Sequence, residues 1–125
     1  MNNQNIKNSS GYKTIITGAT GGIGREIVKK LAPQCEYIIL VGLLADELST
    51  LIEELKLNNA HIIEGNVGEL ETRNRIKSLA KSLGGINLLI NNAGTNNFNL
   101  FENQTAETIK NIVDINLIAP MLLTN

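Results

Sequence analysis

Two alternating patterns constrain this chain more than anything else in it. Short, nearly continuous apolar runs fall at residues 13–18 (KTIITG), 36–42 (EYIILVG), 60–67 (AHIIEGNV) and 86–94 (INLLINNAG). Their β-branched content and bounding glycines read as buried strands. Between them lie stretches with helical spacing. In 22–32, Ile23, Ile27, Val28 and Leu31 share a face, and Pro33 stops the helix. In 45–57, Leu48, Leu51, Ile52 and Leu55 sit at i, i+3, i+4 and i+7. In 69–85, Ile76, Leu79, Ala80 and Leu83 align, with Gly84 or Gly85 as a cap. A fourth helical pattern runs over 104–124. Strands apolar on both sides need helices on both faces, which predicts an α/β fold with a doubly wound parallel sheet. Right-handed crossovers wound outward from the middle give the strand order 3-2-1-4.

A length of 125 residues suits one domain. Residues 1–11 are mostly Asn, Gln, Ser and Lys and read as a flexible leader, leaving 12–125 as the domain. A net charge of −1 gives no electrostatic reason for a nucleic-acid or anionic-membrane partner. With 3% aromatic residues and no Trp, a base-stacking surface is not expected. No apolar run approaches the roughly 20 residues of a membrane span. The polar N-terminus is unlike a secretion signal. Cys35 is the only cysteine, so no internal disulfide forms, which suits the cytoplasm. It reads as an inert thiol. His61, the only histidine, reads as a half-exposed strand residue, and no cluster suggests a metal site.

The first strand runs into TGATGGIG, Thr17 to Gly24, and then into a helix. In a doubly wound sheet, ligands bind beyond the carboxyl ends of the strands where the winding reverses, here between strands 1 and 4. Glycine lets the backbone turn tightly and lets a phosphate approach without a Cβ in the way. A helix beginning near Gly22 directs free N–H groups and the positive end of its dipole at that place. The same residues would also serve as a glycine turn with no ligand. The loop is not a Walker A motif, because no Gly-Lys-Ser/Thr follows and position 25 is Arg. It also lacks the G-x-G-x-x-G spacing.

TGATGGIG resembles the TGxxxGxG cofactor loop of the short-chain dehydrogenases/reductases, with Gly18, Gly22 and Gly24 at the patterned places. Gly21 makes it equally compatible with the TGxxGxxG of the extended branch. NNAG (91–94), at the end of strand 4, matches the single-domain branch and decides between them. The resemblance covers Lys13 to the C-terminus. It implies a Rossmann-type sheet binding NAD or NADP, with Thr20, Gly21 and Ile23 of the loop also at the cofactor and Asn91 to Gly94 beside the adenosine ribose. Asn91 and Asn92 would equally serve to tie orphaned backbone groups together.

Further positions follow from the same likeness. Asn66 stands where the family usually has an Asp reaching the adenine amino group; its amide oxygen can still accept that bond, in a weakened contact, and the Val67 backbone keeps its role. Gly42 stands where NAD enzymes place Asp, and Leu43 where many NADP enzymes place Arg; Gly21 replaces another frequent basic residue. Neither signature is present, and the missing acid leaves room for a 2′-phosphate, tilting the expectation toward NADP. Asp46 and Glu47 are within reach of the ribose, but read first as solvated first-turn residues of the second helix. On the last helix, Ile109, Ile112, Val113 and Asn116 share a face. Asn116 reads either as a structural amide bonded to backbone or, by resemblance, as the family's helix-borne catalytic Asn, which supports a water linked to the active-site Lys. Pro120 then bends or interrupts the helix.

The family's chemistry implies a Tyr, a Lys four residues on, and a Ser. Tyr12 and Tyr37 are followed at that spacing by Ile16 and Val41, and no Ser follows Ser82. Strand 4 would be an apolar edge, and the final helix would cover only part of a sheet face. The expectation is therefore the cofactor-binding front portion of an enzyme moving hydride between NAD(P)H and a small carbonyl or alcohol substrate, homo-oligomeric when complete. The other expectation is an inactive, truncated dinucleotide-binding or interaction module.

Overall fold

The computed structural model describes residues 11–125. The expected leader lies, apart from Gly11, outside the described residues. The elements alternate as β1 (Tyr12–Thr17), α1 (Gly22–Leu31), β2 (Cys35–Gly42), α2 (Ala45–Leu55), β3 (Ala60–Glu64), α3 (Leu70–Ser82) and β4 (Leu88–Ile90). They are followed by α4 (Ala106–Val113), a π-helical segment at Asp114–Ile118 and α5 (Ala119–Thr124). The sheet is parallel throughout, in the order β3-β2-β1-β4.

Alternation along the central strands divides the core in two. Ile15, Ile39, Val41 and Ile63 face one side and pack with Ile76 and Ala80 of α3, Ile115 of the π segment and Ala119 of α5. Ile16, Ile38 and Leu40 face the other and pack with Val28 of α1 and with Leu48 and Leu51 of α2. Register sets the layers: Ile16 pairs with Leu40 on one side and Ile90 on the other. Each fully buried aliphatic side chain contributes about 1.5–3 kcal/mol, so β1 and β2 hold most of the stability of the sheet.

Several expectations change. Ile23 does not join the buried face of α1; it is 73% exposed, and the helix buries Gly24 and Val28 instead. The apolar spacing left Ile23 and Gly24 competing for one face, and close packing selected the residue with no side chain. Strands 3 and 4 are shorter than their apolar runs. β4 keeps only three residues, paired with β1 alone and half-buried. The bend or interruption expected at Pro120 takes the form of a π-helical segment just before it. Helical backbone continues through Pro120, and the Ala119 N–H reaches back to Asp114 O across the preceding π turn. Proline removes one N–H and crowds the carbonyl four residues earlier, and a locally widened helix absorbs both. Val113, Leu117, Ile118 and Met121 lie exposed on this helix.

Cys35 is half-buried at the start of β2, with its sulfur on Leu31 O and Thr14 Oγ1. The half-buried His61 packs edge-on against Tyr37, ring centroids 6.2 Å apart. Among the described residues, no group of His, Cys, Asp and Glu is placed to hold a metal ion. No helix there is long and apolar enough to cross a membrane.

Candidate functional site

A cleft of about 810 Å³ opens beyond the carboxyl ends of β1, β2, β3 and β4. Most of the cofactor-binding candidates from the sequence line it: Gly18, Thr20, Gly21, Gly22, Ile23 and Gly24 from the β1–α1 loop, Gly42 and Leu43 at the end of β2, Asn66 and Val67 after β3, and Asn92, Ala93 and Gly94 after β4. Asn116 and Asn91 do not. The lining also includes Glu47, which the sequence left open as a ribose contact, and Val41, Leu44, Gly65, Thr95, Asn111 and Ile115, which the sequence did not single out as binding residues. Strand register brings Val41 and Gly65 there, and only helix docking brings Asn111 and Ile115.

The glycines of the loop divide by what surrounds them. Gly18 has φ +65°, the left-handed region, and a Cβ on it would lie 2.9 Å from Ala93 Cα. A Cβ on Gly24 would lie 2.0 Å from Gly18 O and 2.8 Å from Asn92 Nδ2. These two are demanded by the protein itself, because α1 enters directly over the end of β1. Gly21 would gain only an ordinary contact at 3.5 Å, and a Cβ on Gly22 would meet nothing within 4 Å. Packing gives no reason for glycine at position 22; that Cβ would project into the open cleft.

Gly22 is also the first residue of α1. The helix has no side-chain cap and no acid in its first turn. α2 and α3 also lack a side-chain cap but carry acids in the first turn, and α4 is capped by Thr105, whose Oγ1 accepts from Thr108 N–H at 3.1 Å. An uncapped helix end with space before it fits an anionic group, which would satisfy the orphan N–H groups and meet the positive end of the dipole.

The sequence missed the residue that joins the two sides of the cleft. The buried Thr17 hydroxyl accepts from Asn92 N–H at 3.1 Å and Ala93 N–H at 3.0 Å, and points at Ile90 O, 3.5 Å away. Asn92 Nδ2 returns a bond to Gly18 O at 3.0 Å. The end of β1 and the end of β4 are thereby locked together. The signal was a polar residue at the last position of an otherwise apolar strand. Asn91 turns away, with Nδ2 3.4 Å from Thr124 Oγ1. Asn116 is exposed and both ends of its amide are used on Thr95: Oδ1 accepts from the backbone N–H at 2.8 Å, and Nδ2 donates to the carbonyl at 2.7 Å. It fixes the segment leaving β4.

The opposite wall is built by β2 and β3. Leu43 and Leu44 stand exposed at its rim. Gly65 has φ +157° and touches Thr72, where a Cβ would lie 2.4 Å from Oγ1. Asn66 Oδ1 accepts from Gly68 N–H at 2.8 Å, and the buried Arg73 donates from Nη1 to Val67 O at 2.9 Å. Glu47 is the one charged residue of the lining, and no His, Lys, Tyr or Cys is among it. The cleft can therefore bind and orient, but these residues supply no group suited to trading protons near neutrality. Neither tyrosine contributes. Tyr37 lies at the other end of the sheet, its hydroxyl donating to Gly85 O. Burial, reinforced by the charge of Glu36, raises its pKa above the ordinary value. A second, more polar cleft of about 570 Å³, lined by residues such as Asn97, Glu107 and Lys110, adjoins the first and shares Thr95 and Asn111 with it.

Comparison with known proteins agrees with this arrangement. L-rhamnose-1-dehydrogenase from Scheffersomyces stipitis is 36% identical over 115 residues, covering 86% of this chain and 45% of that protein. Nodulation protein G from a Rhizobium species is 32% identical over 119 residues, covering 92% and 47%. The crystal structure of L-sorbose reductase from Gluconobacter frateurii, complexed with NADPH and L-sorbose, superposes with a TM-score of 0.79 at 27% identity, covering 92% of this chain and 45% of that one. The chain thus spans about half the length of the curated relatives it matches. The family model for short chain dehydrogenase matches residues 13–125, from the first core strand to the last helix. With the glycine loop, the Asn92 lock and the strand order in place, the chain belongs to the short-chain dehydrogenase family.

Proposed function

We propose that this chain forms the dinucleotide-binding portion of an NAD(P)-dependent oxidoreductase acting on a small carbonyl or alcohol. The observation that carries the reading is Gly22: a glycine that packing does not require, at an uncapped helix end, facing an open cleft. In this reading the first-turn N–H groups of α1 hold the pyrophosphate. Ile23, Leu43 and Leu44 supply apolar rim, and Ala93 and Gly94 form the wall beyond the Asn92 lock. The bound nicotinamide would supply the hydride chemistry, and the protein its orientation.

NADP is the favoured cofactor. Gly42 and Leu43 put no carboxylate at the end of β2, which leaves space for a 2′-phosphate. The sorbose reductase relative binds NADPH. Glu47 at the rim opposes the preference, because its carboxylate suits a ribose hydroxyl. Titration with NADPH and NADH decides, NADPH binding the tighter; tighter NADH binding reverses the assignment. A cytoplasmic location fits the lone Cys35 thiol.

A second reading follows from a cleft whose one charged side chain is Glu47, with no His, Lys, Tyr or Cys in its lining. As 125 residues, the chain binds the dinucleotide without turnover. Reductase assays on this purified chain test it: saturable NADPH binding with no oxidation of NADPH by any carbonyl is the expected result. Reproducible oxidation with contaminating reductases excluded would refute it.

A further inference from the structure

Among the described residues, Arg73 is the one charged side chain that is buried, at 8% exposure. It is the fourth residue of α3, near the positive end of that helix's dipole, which opposes a cation. Buried charges are ordinarily paired. Lys13, Arg25 and Lys110 each meet a carboxylate, whereas no carboxylate among the described residues pairs with Arg73. Glu69 and Glu71 of the same turn are exposed, and Asp114, beside Gly68, pairs with Lys110. The partner of the Arg73 guanidinium is Val67 O, which accepts from Nη1 at 2.9 Å. Val67 lines the dinucleotide cleft, so this charge stands one carbonyl behind the cleft wall. The lining itself carries a single charge, the Glu47 carboxylate, of the wrong sign for an anion.

We infer that Arg73 supplies a positive field that draws the phosphates of the dinucleotide into this cleft, acting by its charge and not by contact. The inference rests on the dinucleotide reading above. A cation shielded from water acts through low-dielectric protein, where its field is screened less than that of a surface lysine. The Val67 carbonyl orients the guanidinium without neutralising it. A neutral amide could tie the same turn through the same acceptor, so the hydrogen bond alone gives no reason for a charge. For folding, an unpaired buried cation is a cost. That cost falls at the wall of a cleft whose own charged residue would repel the ligand, and the field of Arg73 offsets Glu47 there. The attraction grows with the charge of the ligand, so NADPH, with its additional phosphate, gains more from Arg73 than NADH.

The test is a fluorescence or calorimetric titration of this chain with NADPH and NADH, for the unaltered protein, Arg73→Lys and Arg73→Gln. Lysine keeps the charge and a donor for Val67 O; glutamine keeps a donor alone. Arg73→Lys is expected to hold NADPH within about threefold of the unaltered chain. Arg73→Gln is expected to weaken NADPH about tenfold and NADH about threefold, as scaling with ligand charge requires. The melting temperature of Arg73→Gln should hold or rise, because a buried unpaired charge has gone. NADPH binding by Arg73→Gln within about twofold of the unaltered chain overturns the inference while leaving the cradle intact. So does equal weakening of NADPH by both variants, or a melting temperature of Arg73→Gln that falls along with its binding, either of which makes Arg73 a structural tie. No saturable binding of either cofactor by the unaltered chain overturns the cradle and the inference together.

Discussion

The floor and the rim of the cleft are made from the same few residues of sequence, yet they answer to different forces. On the floor, Gly18, Gly24, Thr17 and Asn92 are held by contacts and bonds within the protein. At the rim, Gly22 and Ile23 touch little, and Ile23 stays 73% exposed. A motif glycine therefore has no single meaning. Gly24 lets a helix sit on a strand, whereas Gly22 keeps a space open.

Substitutions can break this contrast. The largest expected effect is at the floor. Gly24→Val forces a Cβ into Gly18 O, a backbone atom that cannot swing aside, and should cost about 3 kcal/mol or more. Chemical denaturation would measure it, and a loss below about 1 kcal/mol would mean that the helix can shift freely. Thr17→Val follows. It keeps the shape but leaves the Ala93 N–H without its acceptor and the Asn92 N–H with Ile90 O alone, at about 1–2 kcal/mol. Proton exchange at those two amides should quicken as well.

Gly22→Val should change stability by less than about 1 kcal/mol, since its side chain meets nothing, yet weaken NADPH binding at least about tenfold. Equal loss of stability and binding would erase the distinction between rim and floor. The smallest effect lies at the opposite end of the sheet. Tyr37 has its pKa raised in the folded chain, first by burial and then by Glu36. The unfolded phenol ionises near pH ~10 while the folded one keeps its proton. This contribution is complete below that pH and is lost as pH rises. Tyr37→Phe should flatten the alkaline fall of the melting temperature; an unchanged slope would exclude Tyr37 as its source.

Much of this architecture was legible in the residues. Runs such as YIILV, apolar on both sides of the strand, demanded helices on both faces, and the alternation then left one plausible winding. The glycine loop and NNAG located the cleft. Less legible were the bounds of β3 and β4, because apolar runs extend past the last paired residue; β4 has a partner on one side only. The loop resemblance put Ile23 at the cleft, but its helical spacing also put it on the buried face of α1, because spacing cannot tell a buried face from an apolar residue set at a cleft. Asn116 was placed on a helix correctly, but which atoms its amide would hold depended on a chain segment that returns beside it from β4.

Local sequence determined the elements, their order and the place of the ligand loop, because hydrophobic periodicity, proline and glycine act over a few residues. Tertiary structure alone decided which glycines are filled by neighbours and which face open space. Those properties depend on groups that lie far apart in the chain, such as Gly18 and Asn92, and meet only when the sheet has wound.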